Sequence, residues 1–169
     1  QCALLARHGS RGMMLARLTL AAVLAAATLP AANAQVQKAP SPAGSWGFKT
    51  EKMGYGCALS GDMTITPTAD KTFKCAFKAV WACELRLPKA VHTEQSCIAT
   101  QAGFDVIVTS KLEKIGPVEP VEMSGAMKAN YAADHFKITI NTRGDEMDGL
   151  FKSYGQAPVK FRKHLELIG

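Results

Sequence analysis

Four of the chain's 5 cysteines fall within one stretch, Cys57, Cys75, Cys83 and Cys97. They are the residues best placed to do chemistry. Thiols in such a set can hold zinc, cycle as a redox pair or oxidise to disulfides. Zinc knuckles and redox pairs are both built on C-x-x-C. The spacings here are 18, 8 and 14 residues, and none makes that motif. Two structural disulfides are the expected product, as befits an even cysteine set in an exported domain. No metal and no cofactor is expected.

Other side chains give weaker leads. His92, His135 and His164 are far apart and on different elements. None pairs with another at metal-ligand spacing, so solvated or incidentally packed histidines are expected. Ser60-Gly61 and Ser124-Gly125 lack the strand–turn–helix setting of a nucleophile elbow. Asp145, Glu146 and Asp148 crowd together but miss the calcium-loop spacing. Arg143-Gly144-Asp145 has the composition of a hairpin tip, which explains it better than adhesion does. With no nucleophile–base pair, metal set or phosphate loop, the chain reads as non-enzymatic.

The cysteines must be positioned by strands. From Cys57 to Thr66 the odd positions Cys57, Leu59, Met63 and Ile65 alternate with Ala58, Ser60, Asp62 and Thr64, the period of a strand with one buried face. Residues 67–71 read as a turn. The return strand puts Phe73, Cys75, Phe77, Trp81 and Cys83 on one side. A second turn at Gln101-Ala102-Gly103-Phe104 separates a strand holding Cys97 from one running Phe104–Ile115. Successive antiparallel strands place these two turns at the same end. Cys75 and Cys97 are then each about 18 Å from that end, and Cys57 and Cys83 about twice as far. Equal heights permit bridging. Cys57–Cys83 with Cys75–Cys97 is the favoured pairing of the three possible, and Cys57–Cys75 with Cys83–Cys97 is the runner-up.

At the N-terminus, residues 1–12 read as upstream sequence without a structural role, and Met13 or Met14 as the start. Residues 13–34 form a secretory signal peptide: Arg17, an apolar core from Leu18 to Leu29, Pro30, and Ala32-Asn33-Ala34 as the cleavage site. The apolar run is too short for a membrane span. Cleavage after Ala34 into the periplasm is expected. Of the 20 basic residues three leave with the leader, so 17 face 14 acidic ones. Without a basic stripe interleaved with aromatics, nucleic acid is a poor partner. Residues 35–43 read as a flexible Pro-rich linker, 44–163 as one domain, and 164–169 as a tail with room for a helical turn.

The second half repeats the alternation. Residues 84–93 are expected as a loop around Pro88. Residues 116–130 form a long loop of the kind that is often functional. Strands follow at 131–141, 147–153 and 159–162, with turns at 142–145 and 155–158. About eight strands with short turns and no amphipathic helix specify an all-β fold. An antiparallel up-and-down barrel, or a closely related sandwich, stabilised by two disulfides, removes the open edges.

Gly44-Ser45-Trp46 on the first strand, followed by up-and-down strands, resembles the calycin group: lipocalins, avidins and small periplasmic metalloprotease inhibitors. The later lipocalin motifs and the avidin ligand contacts are not found. Most of the chain beyond the leader also resembles uncharacterised small exported proteins of alphaproteobacteria, which bring no activity with them. The resemblance implies a calycin-like binding barrel. A small apolar ligand would be lined by Trp46, Phe77, Trp81 and Phe151. The alternative is a monomeric protein-binding module, such as an envelope protease inhibitor or an accessory subunit of an envelope complex, presenting residues 35–43 and the 116–130 loop. In that role, loss of residues 35–43 would abolish binding and leave stability unchanged.

Overall fold

The alternating segments form eight strands: β1 (Gly44–Thr50), β2 (Ala58–Ala69), β3 (Thr72–Ala82), β4 (Ala90–Ala102), β5 (Asp105–Pro117), β6 (His135–Ile140), β7 (Glu146–Lys152) and β8 (Gln156–Lys163). The structure, a computed structural model, describes residues 37–85, 90–117 and 131–164. The leader lies outside the described residues, as do most of the 116–130 loop and the tail after His164. Each strand pairs antiparallel with the next, and β8 pairs with β1, so the sheet is a closed up-and-down barrel. Closure gives every strand a neighbour on both sides, though β5 pairs with β6 only from Asp105 to Val108. Among the described residues no helix is long and apolar enough to cross a membrane.

The turns after β2, β4 and β6 lie at one end, called lower here. The 3-10 turn Gly54–Gly56 and the turn after β7 lie at the upper end. Inward positions carry the core: Trp46, Phe48, Leu59, Met63, Phe77, Phe136, Phe151 and Phe161 are all buried. Phe48 is its centre. Its ring stacks on Phe161 at 5.1 Å and meets Phe136 at 5.3 Å and Phe77 at 5.7 Å edge-on. Each such aromatic pair contributes about 0.5–1.5 kcal/mol beyond its buried area.

Two glycines stand where the core alternation calls for a side chain. Gly61 lies between Leu59 and Met63, and Gly149 between Met147 and Phe151. A Cβ on Gly61 would sit 2.1 Å from the Lys78 carbonyl oxygen, and one on Gly149 2.2 Å from that of Lys137. Neighbouring backbones approach there closely enough to bend the sheet into a small barrel.

Both disulfides follow the favoured pairing, Cys57–Cys83 and Cys75–Cys97. Cys75 and Cys97 are direct partners in the β3–β4 register. Cys57 and Cys83 flank the Ala58–Ala82 pair that ends the β2–β3 ladder. Such crosslinks belong to proteins that fold in an oxidising environment.

Several boundaries differ from those read in the sequence. β2 runs through Pro67 to Ala69, with a register shift between Pro67 and Ala69, and the turn narrows to Asp70 and Lys71. β4 begins at Ala90, taking residues 90–93 from the expected loop, because Ala90 to Thr93 find partners on both β3 and β5 or on β3 alone. β8 begins at Gln156 and includes Pro158. Proline is tolerated there because β1 ends at Thr50, opposite Val159, and the Pro158 carbonyl still accepts from Glu51 N–H at 2.9 Å.

Residues 37–43, expected as a flexible linker, lie against the lower end. The Trp46 indole donates to the Pro42 carbonyl at 2.8 Å, and the Gln101 amide donates to that of Pro40 at 2.8 Å. Pro42 is buried. Lys163 completes the cover, its ammonium 5.4 Å from the Trp46 ring centre.

Candidate functional site

At the upper end the inward positions change from apolar to polar. β4 runs inward through Ala99 and Cys97 to Gln95 and Thr93, and both polar residues are buried. β6 runs inward through Ile140, Ile138 and Phe136. One step beyond, in the same phase, is Asp134, with no exposed surface. The period that hides the core therefore also hides a carboxyl.

Gln95 grips Asp134 at two points. Its Nε2 donates to Asp134 Oδ2 at 2.5 Å, and its Oε1 accepts from the Asp134 backbone N–H at 2.9 Å. Gln95 Nε2 also reaches Thr93 Oγ1 at 3.4 Å, and Tyr131 OH reaches Oδ2 at 3.4 Å. Burial pushes the Asp134 pKa up to about 6, against the opposing pull of its hydrogen bonds, that from Gln95 first. Burial also pushes the Tyr131 phenol up, with the Asp134 charge adding to the effect.

Two buried polar atoms of this cluster lack partners, Asp134 Oδ1 and Trp81 Nε1. The indole is near enough to the carboxyl to favour its charged form, yet its N–H meets no acceptor in hydrogen-bonding geometry. The Ser110 hydroxyl is a third unpartnered buried group, on the stretch of β5 beyond its pairing with β6. There His135 Nδ1 accepts from Ser110 N–H at 3.1 Å, extending the seam.

The four residues expected to line a ligand cavity do not converge on one place. Phe77, Phe151 and Trp81 are linked through ring contacts: Phe77–Phe136 at 5.6 Å, Phe136–Phe151 at 5.7 Å and Trp81–Phe151 at 5.5 Å. Phe77 and Phe151 are core members. Trp81 is half-buried at the upper end, beside Asp134. Trp46 is at the lower end under Pro42. The structure thus separates a floor of rings from one aromatic at the mouth.

The remaining candidates have local partners. His164 Nε2 lies 2.9 Å from Asp62 Oδ1. Asn141 Oδ1 accepts from the backbone N–H of Gly144 at 2.8 Å, closing the Arg143-Gly144-Asp145 tip. The Asn141 amide, then Arg143, hold the Asp145 carboxyl below the usual carboxylate range. Glu146 faces Arg162 at 2.9 Å. These acids turn to separate partners.

Nothing local in the sequence joins the polar cluster: Gln95 and Asp134 are 39 residues apart, and Thr93 falls in a stretch whose proline and polar residues predict a loop. A signal existed: Gln95 and Asp134 are polar residues in phase with long apolar alternations.

No family model and no curated protein matches the chain. A solved structure, a de novo designed fluorescence-activating β-barrel, is similar to it, with 14% sequence identity and a TM-score of 0.43, over 72% of this chain and 93% of that one. The reading of the site rests on the residues above.

Proposed function

We propose that the protein is a non-enzymatic binding barrel of the periplasm that takes a small ligand at its upper end. The observation that carries this reading is the pair of buried, unpartnered atoms Trp81 Nε1 and Asp134 Oδ1. A buried polar group without a partner costs about 1–3 kcal/mol. A ligand offering an acceptor to the indole and a donor to the carboxyl relieves both costs. The Trp81 ring, packed on Phe151, supplies an apolar wall beside them. The ligand is therefore an apolar body of about ring size with one polar group of dual character, such as an alcohol, a primary amide or a carboxylic acid. Gln95 holds Asp134 by its carboxyl and by its backbone N–H, which suits recognition better than proton transfer. The signal-peptide pattern and the disulfides support export.

Native mass spectrometry of protein purified from a bacterial periplasm tests the reading, alongside its denatured mass and the variants Trp81→Phe and Asp134→Asn. The expected result is an added mass that survives natively, leaves on denaturation and is lost from either variant. A bare native mass for the unaltered protein overturns the proposal. So does an added mass that both variants retain.

A further inference from the structure

The outer wall carries a feature that the upper-end site does not use. On the outward face of β8, β1, β2, β3 and β4 there is an open groove of about 670 Å³. It exists because β1 has glycine at the outward position 47, where a Cβ would already meet His164 Cε1 at 3.2 Å. Its rim is cationic. Lys49, Lys78, Lys160, Arg162 and Lys163 line it together with His92, His164 and one carboxylate, Asp62.

The arrangement of charge is unfavourable for the barrel alone. Lys49 and Lys160 are direct cross-strand partners on β1 and β8, and like charges so placed destabilise a sheet. Among the described residues no carboxylate lies at ion-pairing distance from Lys49, Lys78 or Lys160. Arg162 is paired with Glu146 and His164 with Asp62; Lys78 has Asp62 and Glu94, and Lys160 has Asp148, as cross-strand neighbours, so the excess positive charge centres on Lys49 and its like-charged partner Lys160. The groove floor is small and partly apolar, with Gly47, Ser60 and Val80.

We infer that this groove docks an acidic, extended peptide segment of a partner protein. The spacing of the cations chooses this occupant over a single compact anion. From Lys160 across β1 and β2 to Lys78 is three strand spacings and two residues along the strand, about 16 Å. An extended chain sets successive same-side residues about 7 Å apart, so three acidic side chains span that distance, whereas one phosphate does not. At the groove β1 and β2 are paired on both sides, so the segment is held by side chains rather than by an added strand. This site is independent of the one proposed at the upper end.

The test is fluorescence polarisation with a labelled octaglutamate peptide, against the charge-reversal pair Lys49→Glu/Lys160→Glu and a control pair Lys137→Glu/Lys152→Glu on the opposite wall. An octaglutamine peptide and inorganic tripolyphosphate complete the set of probes. Saturable octaglutamate binding is expected, at least tenfold weaker in the groove pair, changed less than twofold in the control pair, and weakened by added salt. Equal losses in the two pairs, or no saturable binding, overturn the inference. Tripolyphosphate binding more tightly than octaglutamate with the same dependence on Lys49 and Lys160 overturns the choice of a peptide. The neutral pair Lys49→Gln/Lys160→Gln replaces the groove pair if circular dichroism shows that the reversal unfolds the barrel.

Discussion

Asp134 sets the pH dependence of the barrel. Its pKa of about 6 in the fold lies above the ordinary aspartate value of about 3.9 expected in the unfolded chain. Between these values the folded state binds the proton and the unfolded state releases it. The contribution is therefore fully present below about pH 4 and is lost as pH rises through about 6. Its size is on the order of 3 kcal/mol. Urea unfolding is expected to show this loss between pH 4 and 7, and Asp134→Asn is expected to flatten it and to be the more stable protein at pH 7.5. A variant that keeps the slope would assign it to other groups. Asp134 was legible by phase alone, as a polar residue continuing the Phe136–Ile140 alternation. What the alternation does not contain is the partner: nothing local to Asp134 points to Gln95 on a distant strand.

At the scale of strands, alternation was strong enough to place all eight, and counting residues from two turns gave the disulfide register. It failed where a strand outlasts its apolar pattern. Ala90–Thr93, Pro67 and Pro158 read as loop because proline and small or polar residues are locally ambiguous, while the ladder is decided by neighbours far along the chain. The two inward glycines read as breaks in the pattern but are where the sheet bends. Gly61→Ala is expected to destabilise by about 2–3 kcal/mol, in the range of overpacked cores, because its Cβ meets backbone. Gly116→Ala on β5, where a Cβ meets nothing within 4 Å, is the matched control and is expected to be neutral or slightly stabilising. Chemical denaturation of both variants checks the contrast, and equal effects would refute the role of close approach at Gly61.

For the whole molecule, the lower end is covered by residues that the sequence presented as a spacer. Proline and polar content identify a segment without secondary structure, but they do not reveal that Pro42 and Pro40 supply acceptors to Trp46 and Gln101. Deleting residues 37–42 is therefore expected to lower stability by about 1–3 kcal/mol, rather than leave it unchanged. Denaturation followed by tryptophan fluorescence decides between the two outcomes, and Trp46→Phe should reproduce part of the loss.

The seam between β1 and β8 has a mechanical consequence. Gly44 and Lys163 are at the same end of adjacent antiparallel strands, with Trp46 opposite Lys163 and His164 N–H bonded to the Ser45 carbonyl. A pull on these two ends loads the first rung of the ladder, then the next, and peels the seam open instead of shearing all its bonds together. Peeling yields to small forces. The crosslinks Cys57–Cys83 and Cys75–Cys97 overlap in sequence, so the stretch they enclose cannot be drawn out to its full length however hard the ends are pulled. The barrel should therefore open easily under tension and then stop short, with β2, β3 and β4 still tethered as a template on which the remaining strands can close again.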